Sequence, residues 1–181
     1  MKTTVSQKKL LEYLDACENG NVEILDSFVT GTKGTCFHWM NDEGLTGLDI
    51  AVKSNNGRSA ELLIDYGAVA APHKVTKNSA LHVACFYGYL DLIQLLIDRF
   101  GIDQIYYPNA FQETPLYFAS MNGQKKAIEK LFALEDSNNL NNESPRYQIL
   151  GGKSCVDVAT HVGHINCYKI LKIKMKEAEL Q

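Results

Sequence analysis

His161, His164 and Cys167 stand three residues apart near the C-terminal end of the chain. Two imidazoles and a thiol are ordinary zinc chemistry, yet this spacing matches no standard zinc motif. The other cysteines, Cys17, Cys36, Cys85 and Cys155, bring the total to five. They are odd in number, with no close pair at metal or redox spacing, so reduced thiols of an intracellular protein are expected. Residues 31–35, GTKGT, supply glycines and a lysine. They lack the spacing of a phosphate-binding loop and precede no strand-to-helix unit, so a connector is the better reading. No serine or cysteine sits in a nucleophile motif, and no acid, base and nucleophile converge. The expectation is a non-enzyme with no catalytic residue, no metal and no cofactor.

Two charged features remain. Lys169, Lys172, Lys174 and Lys176 form a short basic run, followed by Glu177 and Glu179. Such a run can meet nucleic acid or an acidic membrane surface, and a solvated face of a terminal helix is the blander alternative. Ser144-Pro145 offers a proline-directed kinase a lone and therefore weakly specific dipeptide. The formal net charge of -3 lacks the basic surplus of a nucleic-acid domain. Nearly half of the 181 residues are apolar, enough for one domain spanning 1–181. The opening MKTTVSQKK carries no signal-peptide run, and nowhere do about eighteen apolar residues follow one another. A cytoplasmic protein without a membrane span is expected.

The chain has to be positioned by something, and its elements repeat. TGLDIAVKSNNG, SALHVACFYG, TPLYFASMNG and SCVDVATHVG share one core, with Ala51, Ala84, Ala119 and Ala159 separated by 33, 35 and 40 residues. A degenerate copy, YLDACENG, puts Ala16 another 35 residues upstream. Thr46, Ser79, Thr114 and Ser154 open each first helix as N-caps, worth about 1 kcal/mol each. Pro115 suits a first helical position, and Asp49 and Asp157 favour the helix N-terminus. Gly20, Gly88, Gly123 and Gly163 fit left-handed C-terminal caps, and Asn55 tolerates the same conformation. Each small alanine lets neighbouring first helices approach. VEILDSFV, AELLIDYG, LDLIQLLI, KAIEKLFA and INCYKILK then carry the apolar stripes of second helices. A helix hairpin of this size cannot bury its own stripe, so it must stack on the next.

These residues resemble the ankyrin repeat, with its Thr-Pro-Leu-His-x-Ala signature, following glycine and leucine-rich second helix at a period near 33. SALHVACFYGYLDLIQLLI, TPLYFASMNG and LLIDYGA carry the likeness, which covers roughly residues 7–172. It implies an all-α fold, an α-solenoid of about five helix-turn-helix repeats with hairpin loops. The repeats fall near 7–36, 37–73, 74–108, 109–148 and 149–176, with an insertion at 134–152 read as a loop. His82 takes the place of the signature histidine, a hydrogen-bonding residue, and His164 matches the histidine that follows the glycine. The first repeat lacks the hairpin and the capping threonine and reads as a polar cap. The family's binding surface is concave, made of hairpin tips and the exposed side of the inner helices. Carried onto this chain, its variable positions are Met40, Asp42, Glu43, Leu45, Lys53, Ser54, His73, Val75, Thr76, Asn78, Phe86, Tyr87, Phe111, Glu113, Met121 and Asn122, with Tyr107 beside a tip.

That set is apolar and aromatic at its centre. Aromatics and methionine supply much interface energy, so Phe86, Tyr87, Phe111 and Met121 are expected to form a hot spot for a protein partner. Ordinary packing beneath neighbouring hairpins is the rival account of the same side chains. Asp42, Glu43 and Glu113 are expected to steer a partly basic partner. Trp39 either anchors a partner or covers the open edge of the first repeat. The protein is expected to be monomeric alone or a subunit of a larger complex.

Overall fold

The computed structural model describes residues 6–137 and 154–179, which fall in two compact units, Met1–Lys74 and Val75–Gln181. The first holds α1 (Gln7–Asn19), α2 (Val22–Thr32), α3 (Gly47–Lys53) and α4 (Gly57–Asp65). The second holds α5 (Ala80–Tyr87), α6 (Leu90–Phe100), α7 (Pro115–Met121), α8 (Lys125–Ser137), α9 (Cys155–Val162) and α10 (Ile165–Glu179). Among the described residues there is no strand; a β-bridge, Met40 to Thr46, closes a hairpin tip. The fold class is the all-α repeat fold expected.

Local chemistry explains where α3, α5, α7 and α9 begin. Thr46, Thr114 and Ser154 accept from the amides of Asp49, Tyr117 and Asp157 at 3.3, 3.4 and 3.1 Å. Asp49 and Asp157 reach back to the amides of Thr46 and Ser154 at 2.9 and 2.8 Å, completing reciprocal boxes. Ser79 is the N-cap of α5, as expected, and closes its box on a different side chain. Its amide and its hydroxyl both meet His82 Nδ1, at 3.1 and 2.8 Å, because a neutral imidazole accepts where the other boxes use a carboxylate. The turns behave as expected, with Gly20, Gly88, Gly123 and Gly163 left-handed and Asn55 at φ +56°.

Stacking follows from small residues. Ala16, Ala51, Ala84, Ala119 and Ala159 are all buried. In the first unit α1 packs on α3 and α2 on α4; in the second α5 packs on α7 and α7 on α9, with α6, α8 and α10 in a second row. Leu25, Val29, Ala60 and Leu63 fill the layer between the rows of the first unit. Leu92, Ile93, Leu96, Ile128, Leu131 and Leu171 do so in the second. Full burial of each such aliphatic side chain contributes about 1.5–3 kcal/mol before chain entropy is set against it.

The insertion begins later than expected. Residues 134–137 are the last turn of α8 and not a loop: Glu135 is buried there, Ser137 Oγ donates to the Ala133 carbonyl at 2.7 Å, and Asp136 accepts from Lys174 of α10 at 3.0 Å. The rest of the insertion, with Ser144, lies outside the described residues.

Candidate protein-binding surface

In the first unit the tip at Asn41–Leu45 is tied to itself. Asn41 Oδ1 accepts from the Leu45 amide at 2.9 Å, and the Asn41 amide donates to the Leu45 carbonyl at 3.0 Å. Asp42 and Glu43 project to solvent, while Met40 and Leu45 are half-buried. Glu43 meets Lys53 at 3.4 Å, an exposed pair of the kind that contributes little. The Glu43 carbonyl lies 2.8 Å from Nε2 of the half-buried His73. Met40, Asp42, Glu43, Leu45, Lys53 and His73 thus share one hairpin region.

Asn109 organises the second unit's tips. Its Nδ2 donates to Asn78 Oδ1 and to Glu113 Oε2, both at 2.8 Å, while its Oδ1 accepts from the amides of Phe111 and Glu113 at 2.8 and 2.9 Å. The Thr76 carbonyl accepts from the Ala110 amide at 2.8 Å. His82, buried beneath, completes the tie. Since its Nδ1 accepts from the Ser79 amide, Nε2 carries the proton and donates to the Glu113 carbonyl at 3.0 Å. Burial holds this imidazole's pKa down to about 4, so it is neutral at pH 7.

Onto this frame the structure sorts the aromatic set in two. Phe111, Tyr107 and Tyr87 are 65%, 55% and 41% exposed. Phe86 and Met121 are half-buried. Phe86 packs edge-on against Tyr87 at 5.0 Å and Phe118 at 6.1 Å. Its carbonyl accepts from Asn122 and Gln124 at 2.7 and 3.1 Å. The Met121 carbonyl lies 3.1 Å from His164 Nε2. Packing therefore claims much of Phe86, and Glu113 spends its carboxylate on Asn109. Tyr89 adds itself to the set unannounced, stacked on Tyr87 at 5.3 Å and 13°. The only hint of it was the tyrosine on either side of Gly88.

The rival features are engaged elsewhere. Cys167 is buried in the core and His161 is exposed; among the described residues no three His, Cys, Asp or Glu side chains gather as metal ligands. All five thiols are free and buried, and burial pushes those of Cys17 and Cys155 up to about 12. Lys174 pairs with Asp136 and lies over the Phe132 ring, and Lys172 reaches the Tyr168 hydroxyl. Trp39 sits edge-on to Tyr13 at 5.6 Å and to Phe28 at 6.1 Å, the geometry of an edge cover. Among the described residues no helix is long and apolar enough to cross a membrane.

A family model for ankyrin repeats, in three copies, matches residues 14–107. The chain is 33% identical over 85 residues to "Protein phosphatase 1 regulatory subunit 27" of Mus musculus, covering 47% of this chain and 54% of that protein. It is 30% identical over 95 residues to "Putative E3 ubiquitin-protein ligase XBAT31" of Arabidopsis thaliana, covering 52% of this chain and 19% of that one. The chain therefore spans about half the length of the first relative and about a fifth of the second. With more than half its length matched, and with caps, alanines and left-handed turns recurring as the repeat requires, the chain belongs to the ankyrin repeat family.

Proposed function

We propose that this protein is a non-enzymatic binding module, a scaffold or adaptor of the cytoplasm, that holds a protein partner on its hairpin tips and inner helices. The observation that carries this reading is the exposure of Tyr107 and Phe111 on a tip that Asn109 and His82 hold rigid. Large aromatics kept in water on a fixed backbone lose little entropy on binding, the property of interface anchors. The likeness to a phosphatase regulatory subunit supports the same class, since that protein is named for its attachment to another. Binding of nucleic acid or an acidic surface through α10 is the weaker reading, because Lys172 and Lys174 already have partners within the fold.

Affinity purification followed by mass spectrometry tests this directly. A Tyr107→Ala, Phe111→Ala double variant should keep its helical circular dichroism and lose at least about tenfold of the captured partner. Equal capture by the variant overturns the assignment. Phe86→Ala is a poorer probe, because removing a ring that packs on Phe118 also lowers stability.

A further inference from the structure

Between α1 and α3 the first unit leaves an open groove of about 510 Å3. Leu11, Leu14 and Ile50 supply its apolar surface, and Glu12, Asp15 and Glu18 its acidic rim, with Asn41 at one side. Leu11, Asp15 and Glu18 follow at i, i+4 and i+7 and so share one face of α1. Leu11 is 60% exposed, an aliphatic side chain standing in water among acids. Asp15 accepts a hydrogen bond from Asn19. The carboxylates of Glu12 and Glu18 have no hydrogen-bond or ion-pair partner among the described residues. Charge is also uneven along the chain. Residues 1–74 hold ten Asp and Glu against seven Lys and Arg, whereas residues 75–181 hold eleven of each. The whole formal net charge thus belongs to the unit that contains this groove.

We infer that the groove receives a basic segment of a protein partner, one aliphatic side chain seated on Leu11, Leu14 and Ile50 with arginine or lysine on either side of it. The inference rests on the protein-binding reading above and adds both a second contact and the chemistry of what fills it. Size and charge select this occupant together. A groove of this volume takes one or two side chains of an extended or single-helical segment. Three carboxylates on its rim repel phosphate, which sets nucleic acid and anionic lipid aside. Arginine fits best, because its apolar stem can lie along Leu11 while its planar fork meets a carboxylate with two parallel hydrogen bonds. Unpaired Glu12 and Glu18 then gain partners on binding without first breaking contacts within the fold.

The probe is the peptide Arg-Arg-Leu-Arg-Arg, followed on the full chain by amide chemical-shift mapping. Shifts should concentrate at Leu11, Leu14, Asp15 and Ile50. Replacing the peptide's leucine by serine should weaken binding by at least about tenfold, one buried aliphatic side chain's worth, and Glu-Glu-Leu-Glu-Glu should not bind. A Glu12→Gln, Glu18→Gln variant should bind about tenfold more weakly and lose most of its salt dependence. Leu11→Ser, at an exposed position, should keep the circular dichroism of the parent and lose the preference for leucine. Shifts spread elsewhere, equal binding of the three peptides, or an unchanged affinity of the Gln variant overturn the inference. The two surfaces separate cleanly, since Tyr107→Ala, Phe111→Ala should still bind this peptide. If the double tip variant loses its partner while the peptide leaves the groove unshifted, the groove fails alone. If neither the tip variant nor the Gln variant loses partner in the capture experiment, the protein-binding reading fails with it.

Discussion

The two units solve the same problem, a capped first helix packed on its neighbour, with different chemistry. At the third position of α5 the second unit uses an imidazole, His82, where α3 of the first uses a carboxylate, Asp49, as α9 does with Asp157. His82 and Asp49 are both buried, and burial drives each toward its neutral form, which moves the two pKa values in opposite directions. The lesson is that one structural slot can carry opposite pH dependence according to which acid or base fills it.

The largest expected effect follows from that opposition. His82 has a folded pKa of about 4, below its ordinary value of 6.5, so the unfolded chain binds its proton first as pH falls. Its stabilising contribution is complete above pH 6.5 and is lost progressively down to pH 4, about 3 kcal/mol in all. Asp49 behaves in the reverse sense. Its folded pKa is raised by burial, so at this position acidification favours the folded form. Amide hydrogen exchange in α5 and α7 should accelerate between pH 6.5 and 4 after correction for intrinsic rates, and His82→Gln should flatten that trend. A trend unaltered by His82→Gln removes the titration from this residue. Trp39, the one tryptophan, lies in the first unit and reports on that unit separately by fluorescence.

A second contrast lies in the core. Tyr13 fills the slot that Leu48, Leu81 and Leu116 fill in later repeats, and its ring reaches into the start of α3. A Cβ on Gly47 would strike the Tyr13 hydroxyl and lie 2.8 Å from Cys17 Sγ. The equivalent positions Ala80, Pro115 and Cys155 all carry a Cβ, so Gly47 is the complement of Tyr13. Gly to Ala within a helix ordinarily gains about 0.5–1 kcal/mol. Here Gly47→Ala should instead cost about 1–3 kcal/mol in a urea titration, the usual scale of overpacking. Adding Tyr13→Leu should recover at least half of the loss through the coupling of neighbours. An additive pair dissolves the link. The Tyr13 hydroxyl is buried beside two thiols without a hydrogen-bond partner among the described residues, so the rescue sacrifices no polar contact of full strength.

These cases mark what was legible in the sequence. Thr46, Thr114 and Ser154 declare their helices because capping is settled within four residues, and Asn55 declares its turn for the same reason. The Gly47–Tyr13 pairing joins residues far apart in the chain, and no local rule announces it. The end of α8 was missed because Asp136 is held by Lys174, on the far side of the insertion. At the candidate site, repeat position alone treats Phe86 and Phe111 alike. Only the presence of Phe118 against one and open water around the other separates an interior ring from an exposed one.

The smallest effect bears most on function. Gly44, Lys77 and Gln112 each stand two residues before a cap and are left-handed, at φ +80°, +58° and +63°. The first unit places glycine there; the second forces two residues with side chains into the same conformation, at a cost of about 1 kcal/mol each. Gln112→Gly relieves that strain but gives the unfolded chain more freedom, leaving a net gain of about 0.5 kcal/mol. A chemical-denaturation series resolves a change of that size. Gln112 directly follows Phe111, so the same substitution also loosens the backbone that presents the exposed ring. If strain at this tip serves to hold Phe111 ready, Gln112→Gly should be slightly more stable and yet bind its partner several-fold more weakly. A variant that gains stability and keeps its affinity would place the rigidity of the tip in the Asn109 hydrogen bonds alone.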